Sequence, residues 1–477
     1  MKTPIQDFLL KHAMKNPISF HMPGHKGSAI YKRFGYTEFL ENFMDCDVTE
    51  IIGADNLFQT EGIIKEAQDR YAKLYGVKKS YLLINGTSGG IIAAILASVP
   101  KGKKLIMARN CHKSVFNALT LADVQPVYAY PDMIEEYGIS GAISADQIDT
   151  LLSANPDAEA VVLPSPNYYG ICCEVEKIAG IVHKYNKVLI IDQAHGAHLS
   201  FFNRYGVKNM PQSAENCGAD IVITSIHKTL ASYTQSAVLN LNSERVDQYV
   251  LEDKLQCIES TSPSYILMSS LDINASLLEE HGKQLFSEWE ENLNYFYEQA
   301  KTIEGLKIID KMEGMDWTKL NFSLGMQGAE LEEILMEHYG IFIELYTGEL
   351  VMCMTGIGNT REHMEKLVRA LSEIAAEMKS KIALEEVIQK SEAVNKTLTI
   401  PKQAELFDIP KYKKRVPLME AGGMICASSI IPYPPGIPLI CPGEKLNAET
   451  LNYIKTLREL GEKVIGVNEQ GEIFVGV

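Results

Sequence analysis

The sequence predicts an α/β fold on a mostly parallel sheet, followed by a small α+β domain and a C-terminal domain. Three observations predict it. Short apolar runs alternate with helical or polar segments through the middle of the chain, the pattern of βαβ units. The segments richest in reactive side chains follow those runs directly. A long amphipathic helix over residues 277–300, with Leu278, Leu285, Trp289, Leu293 and Phe296 toward one side, then leads into a differently patterned second half.

Taken in order, residues 61–75 form an amphipathic helix with Ile64, Ala67, Tyr71 and Leu74 on one face and Gly76 as its stop. Residues 80–84 read as a strand, Asn85-Gly86-Thr87-Ser88-Gly89-Gly90 as a turn, and 91–98 as helix. Further strands are expected at 104–108, 160–163, 188–191 and 221–224. In such sheets ligands bind at the carboxyl ends of the strands. NGTSGG, RNCHKS, PSPNYYG, DQAHG and SIHK all sit at those ends. Residues 305–373 hold strand-like runs and a helix, as a smaller α+β domain would. Residues 380–403 are polar, a helix or a hinge. Pro417, Pro432, Pro434, Pro435, Pro438 and Pro442 make the last part rigid and turn-rich. A closing hairpin is expected to join 464–467 to 473–477 through 468–471. Lys411, Lys413, Lys414 and Arg415 read as a solvated surface. The domain division is an N-terminal segment (1–60), a large domain (61–295), a small α+β domain (296–385) and a C-terminal domain (386–477).

The 477 residues include 45 Lys or Arg and 61 Asp or Glu, a formal charge of −16. At roughly 150 residues per domain this length holds two to four domains. The acidic balance argues against general nucleic-acid binding and favours cationic small molecules over anionic ones. The apolar run 91–99 is among the richest and falls well short of the ~20 residues that span a bilayer. The opening MKTPIQDFLLKH lacks a signal-peptide pattern, so no membrane partner is expected. Nine cysteines, with no CxxC, point to free thiols, Cys172 and Cys173 included, and to a reducing cytoplasm.

Lys228 follows the strand at 221–224. It is either a strand-end lysine reaching for solvent or an amine in an enclosed site. There it would lose proton affinity and become a nucleophile able to form a Schiff base with an aldehyde cofactor such as pyridoxal phosphate. Asp192 favours the second reading, because a carboxylate at a strand end can keep a pyridine nitrogen protonated. A helix cap or a metal ligand is its other reading. His195 and His198 add to the metal option, yet catalytic zinc takes three protein ligands and no HExxH or CxxC partner is present, so no metal is expected. Thr87, Ser88 and Gly89 open a helix whose free N–H groups suit a phosphate; a plain turn is the alternative. Ser225 and His227 flank the lysine within reach of the same phosphate. His112 would stack on a planar cofactor or cap a helix.

FHMPGHKG (20–27), DVTEIIGADNL (47–57), NGTSGG, RNCHKSV, PSPNYYG, DQAHGAH, SIHKT, TSPSY (261–265) and PYPPGIPLICPGE (432–444) together resemble the bacterial ornithine/lysine/arginine decarboxylases, over almost the whole chain. The resemblance implies the aspartate-aminotransferase-like fold type I of pyridoxal phosphate enzymes. It implies that Lys228 carries pyridoxal 5'-phosphate as a Schiff base and that Asp192 pairs with the pyridine nitrogen. His112 would stack on the ring, Ala194 would pack its other face, and Thr87, Ser88, Gly89, Ser225 and His227 would hold the phosphate. In relatives the TSPSY stretch, with Ser262, approaches the phosphate of the neighbouring subunit, which implies a homodimer with shared sites. Glu344 resembles a family carboxylate and would be a counter-charge for a distal amine or guanidinium, with a structural glutamate as the alternative; His195 is a further substrate contact. Asp316, in DWTKL, matches a family position and reads as structural. The family commonly has DEAHG where this chain has Asp192-Gln193-Ala194-His195, which alters local hydrogen bonding but keeps the aspartate. The chain resembles the short form without a receiver-like wing, so wing-built rings are not expected. The implied reaction is decarboxylation of a small basic L-amino acid, arginine first, then lysine or ornithine, with His227 or Lys228 returning the proton. An aminotransferase or aldolase of the same fold, and a non-catalytic regulatory cofactor-binding protein, are the alternatives.

Overall fold

The computed structural model describes residues 3–385, 405–432, 437–459 and 463–477. At its centre is a seven-stranded sheet of β1 (Lys79–Leu83), β2 (Lys104–Ala108), β3 (Gln125–Ala129), β4 (Ala158–Pro164), β5 (Val188–Asp192), β6 (Ile221–Thr224) and β7 (Ala237–Leu241). The order is β1-β7-β6-β5-β4-β2-β3. All neighbours pair in parallel except β7, which is antiparallel to both β1 and β6. The central strands read as unbroken apolar runs because helices cover both faces; Leu189, Ile190, Ile191, Val222 and Ile223 are fully buried. β2 and β6 have the expected bounds, while β1, β4 and β5 differ slightly at their ends. β3 and β7 are additional to the expected set, their apolar signal diluted by Gln125, Pro126 and Asn240.

The first expected helix is present as Ile63–Tyr75, burying Ile64, Ala67, Tyr71 and Leu74. Gly76 ends it at φ +72°, a left-handed conformation that favours glycine. One expectation is corrected just beyond β1. The glycine-rich stretch is not a turn ahead of the helix, because the helix runs Gly86–Ser98 and takes Thr87, Ser88 and Gly89 into its first turn. Gly86 alone makes the sharp entry, at φ +67°. The long helix starts upstream of its expected origin, at Tyr265, where the Ser264 side chain accepts the Leu267 N–H and the apolar stripe already includes Ile266, Met268 and Leu271.

The second half holds a four-stranded sheet with Lys319–Ser323 and Leu350–Met354 at its centre, packed with helices Gly328–Tyr339 and Arg361–Glu385. The N-terminal segment adds to this part, since Ile18–Ser19 pairs in parallel with Ile341–Phe342. Of the polar stretch expected at 380–403, residues 386–403 lie outside the described residues. The C-terminal unit packs helix Ala448–Glu459 over a core that includes Leu418, Cys426, Ile430 and Ile473. The expected closing hairpin is not formed. Val464–Ile465 pairs with Ile431–Pro432, and Glu472–Gly476 pairs with Lys413–Pro417, although the tight turn between Asn468 and Glu472 is present. Partners distant in sequence satisfy both strands, so the local turn does not set the pairing. Of the proline-rich run, Pro434 and Pro435 lie outside the described residues. Lys411, Lys413, Lys414 and Arg415 are exposed, with Lys413 and Arg415 over the Phe474 ring. All nine cysteines are free. No helix of the described residues is long and apolar enough to cross a membrane.

Candidate active site

Strand direction brings the expected motifs together. The carboxyl ends of β1, β2, β4, β5 and β6 lie on one edge of the sheet. NGTSGG, RNCHKS, PSPNYYG, DQAHG and SIHK therefore leave the sheet side by side. A cavity of about 350 Å³ opens there, and Thr87, Ser88, His112, Ser225, His227 and Lys228 line it. Glu344 lines it from the second half of the chain.

Lys228 does not reach for solvent. Its Nζ lies 2.8 Å from His195 Nε2 and 5.8 Å from the centre of the Tyr168 ring. Burial lowers its proton affinity, Asp192 and Glu344 oppose that shift, and Lys319 adds to it. Asp192 ends β5 fully enclosed, and burial raises its pKa against the pull of Lys228 and of the Ala194 N–H, which its Oδ1 accepts at 3.1 Å. His195 Nδ1 is buried without a hydrogen-bond partner, and its ring centre lies 4.5 Å from that of Tyr168, the two planes tilted by 55°.

Of the two readings of His112, the helix cap is observed. The imidazole caps the helix Lys113–Ala122 by accepting the Ser114 N–H, and its ring lines the cavity. Burial, then Lys228 and Lys113, push it down to about 3, so the ring is neutral. Thr87 Oγ1 and Ser225 Oγ meet at 3.1 Å from two different strand ends. His227 Nδ1 donates to the Ser236 carbonyl at 2.8 Å, which leaves Nε2 unprotonated in the neutral ring. Burial lowers His227 to about 4. Glu344 Oε2 accepts the Met22 N–H at 2.9 Å and lies 3.8 Å from His21 Nε2. Nearby, Lys26 Nζ donates to the carbonyls of His21 at 2.6 Å and Met354 at 3.2 Å; burial lowers it to about 7.

Five expected site residues stand outside the cavity lining: Asp192 and His195, which act on it through Lys228, and Gly89, Ala194 and Ser262. Gly89 packs where a Cβ would lie 3.2 Å from Ile258 and Glu259, so its smallness serves helix packing. Ala194 is buried behind Asp192. Ser262 is exposed, its N–H donating to Ser260 Oγ. Conversely, His21, Met22, Tyr168, Thr234 and Gln235 line the cavity without having been singled out. The first three lie inside FHMPGHKG and PSPNYYG, which was the available signal. Thr234 and Gln235 precede β7, whose reversed direction delivers its amino end to this edge.

The two imidazoles of HGAH have different partners. His198 Nδ1 contacts Thr229 Oγ1 at 3.1 Å and Nε2 contacts Asp316 Oδ1 at 3.0 Å. Among the described residues no three His, Cys, Asp or Glu side chains converge as a metal site. Lys319, fully buried, bonds to the Asp316 carboxylate and donates to the His195 carbonyl at 2.5 Å. Burial works against the Asp316 charge, but His198 and Lys319 outweigh it and hold the carboxyl well below its usual range. A carboxyl held low stabilises the fold above its unfolded value of about 4, and that contribution is lost as pH falls. Lys319→Met leaves Asp316 without its cation and should cost about 3–5 kcal/mol in urea unfolding. An unchanged denaturation midpoint would contradict the assignment.

The geometry, a lysine after one parallel strand and a buried carboxylate ending its neighbour, defines the fold-type-I scaffold of pyridoxal phosphate enzymes. Residues 3–312 match the Orn/Lys/Arg decarboxylase major domain and residues 372–472 match the C-terminal domain of the same proteins. The chain belongs to the Orn/Lys/Arg decarboxylase family. An arginine decarboxylase of Bacillus subtilis (strain 168) is 32% identical over 98% of this chain and 95% of its own. The structure of the E. coli constitutive lysine decarboxylase superposes with a TM-score of 0.75 at 21% identity, covering 100% of this chain and 82% of that one. An L-threonine transaldolase from Pseudomonas fluorescens, solved in its internal aldimine state, shares the fold at a TM-score of 0.59 and 16% identity, over 80% of this chain and 89% of that one.

Proposed function

We propose that this chain decarboxylates a basic L-amino acid, arginine ahead of lysine and ornithine, using pyridoxal 5'-phosphate. The observation that carries the reading is Lys228 Nζ, turned inward against His195 and electrostatically coupled to both Asp192 and Glu344. The relatives named arginine decarboxylase support the choice of substrate.

The residues fit the cofactor. Asp192 is a buried carboxylate with one N–H donor, an environment that a protonated pyridine nitrogen would satisfy. Thr87 and Ser225 hydroxyls stand beside the N-terminal end of helix Gly86–Ser98, which suits a phosphate. Thr87, Ser88, Ser225 and His227 would hold that phosphate, with His112 contacting the ring. His227 can donate a second N–H to it only when protonated, which a bound dianion favours. When bound, the cofactor supplies an electron sink for the bond broken at the α-carbon.

The protein's own part follows from its charges. Asp192 keeps a proton on the ring nitrogen. Burial lowers the proton affinity of Lys228, and His195 Nε2 stands at hydrogen-bond distance to exchange a proton with Nζ. Glu344, at the cavity wall, meets the distal cation of the substrate. Glu344→Gln should therefore raise KM for arginine about tenfold or more, the worth of a hydrogen bond to a charged group, with cofactor affinity unchanged. An unchanged KM would remove Glu344 from the site. The exposed Ser262 fits a homodimer in which it serves the second copy's site. Nine free cysteines fit a reducing cytoplasm.

The deciding experiment is carbon dioxide release from arginine, lysine and ornithine, run separately with added pyridoxal phosphate, with Lys228→Ala as the blank. Release from arginine above the other two is expected. A methylene in the pocket is worth only ~1–3 kcal/mol, so lower rates with lysine or ornithine are compatible with the reading. A protein that takes up the cofactor but releases no carbon dioxide from any of them would sink it in favour of a different bond broken at the same carbon.

A further inference from the structure

We propose that the C-terminal domain positions His112 through Arg109, a reading that rests on the cavity being the cofactor site. Arg109 follows β2 directly and is 3% exposed, as is its partner Glu444. Its Nη1 donates to the Pro438 carbonyl at 2.6 Å, and its Nη2 donates to the Leu439 carbonyl at 2.9 Å and to Glu444 Oε2 at 3.1 Å. The same Glu444 oxygen accepts the Cys441 N–H at 2.9 Å, and Cys441 packs into the core around the central sheet. The segment 438–444 is thus plugged into the large domain, held by the guanidinium and by the packing of Cys441.

The other side of Arg109 faces two aromatic rings, one of them on the helix that His112 caps. Its guanidinium carbon lies 5.6 Å from the Phe116 ring and 5.4 Å from the Tyr128 ring. Phe116 belongs to the helix Lys113–Ala122, and His112 is the cap of that helix. His112 Nδ1 lies 2.9 Å from Ser114 Oγ. The Arg109 N–H donates to Ala129 and the Cys111 N–H to Ala108, which closes the short link between Arg109 and His112. One side chain therefore grips the C-terminal domain with its edge and rests its plane on the helix whose cap lines the cavity. Three buried acceptors, two of them carbonyls, need the planar fork of arginine; an ammonium on a flexible stem cannot satisfy all three in place.

Arg109→Lys and Glu444→Gln test this, each also combined with His112→Ala. In cofactor-free protein, both single variants should speed deuterium exchange in peptides covering 109–116 and leave peptides covering 221–229 unchanged. In the loaded enzyme they should lower kcat on the order of 10-fold to 100-fold, the scale of a small misplacement, with KM within about twofold, and shift the visible absorption of the bound cofactor. In the His112→Ala background Arg109→Lys should add little further loss, because both act through one group. A fall in melting temperature alone, with kcat and spectrum as in wild type, or full additivity with His112→Ala, overturns the proposal. A wild type that binds no pyridoxal phosphate defeats the cofactor reading, and the exchange data still decide the latch: wild-type exchange at 109–116 in both variants overturns it.

Discussion

Lys228→Ala should abolish the reaction, lowering kcat/KM on the order of 10⁴-fold or more, as loss of a group at the centre of a catalytic unit does. The physical reason lies in two contacts. Nζ is the amine brought to His195 Nε2 at 2.8 Å, and enclosure lowers its proton affinity so that the free base is accessible. Alanine removes the nucleophile and also leaves His195, whose Nδ1 already lacks a partner, with no bond on either nitrogen. The variant should fold, because Lys228 is not part of an apolar core. It should take up pyridoxal phosphate without the yellow colour of a borohydride-reducible adduct. A small primary amine added to the assay should restore part of the rate. Retention of more than about a tenth of wild-type turnover would show that the amine is not essential.

Asp192→Asn should lower turnover by about 10³-fold, or ~4 kcal/mol at 1.36 kcal/mol per factor of ten. Asparagine keeps the shape and the Oδ1 that accepts the Ala194 N–H, so what is lost is charge. The same substitution has an opposite consequence for the cofactor-free protein. Burial raises the Asp192 pKa above its unfolded value. A carboxyl raised on folding takes up a proton as the chain folds, so its contribution to stability is present at low pH and is lost as pH rises through the folded pKa. Without cofactor, burial opposes the Asp192 charge more than Lys228 and the Ala194 N–H favour it, and asparagine carries no such charge. Asp192→Asn should therefore be no less stable than wild type in thermal melts without cofactor, while its loaded form gains less from cofactor binding. Turnover within tenfold of wild type would remove Asp192 as the counter-charge.

Much of this site was legible because of how parallel sheets work. Strands read at 104–108 and 221–224 were found with those bounds, and five motifs following five strands had to emerge on one edge. Asp192 and Lys228 could be singled out from position, since one directly follows a buried apolar run and the other comes four residues after one, while their roles came from the family resemblance. The rest of the cavity was harder to read for specific reasons. Thr234 and Gln235 precede a strand whose direction is reversed, and direction is not written in composition. His21 and Met22 reach the cavity only because the segment holding them pairs with residues more than three hundred positions away. The expected closing hairpin failed on the same ground: a good turn at Asn468–Gly471 was overruled by distant strands at Lys413–Pro417 and Ile431–Pro432.

What the sequence determined by itself was local. It set the alternation of strands and helices, the stop at Gly76, and the reactive residues placed at strand ends, because each depends on neighbours within a turn or two of chain. The tertiary structure alone decided which groups share a contact. It set His195 rather than solvent against Lys228, buried Lys319 on Asp316 beneath them, and lodged Arg109 between the C-terminal domain and the helix that His112 caps. Such pairings depend on distances across the fold, and a charge becomes buried or a lysine loses its proton affinity only once other segments have excluded water around it.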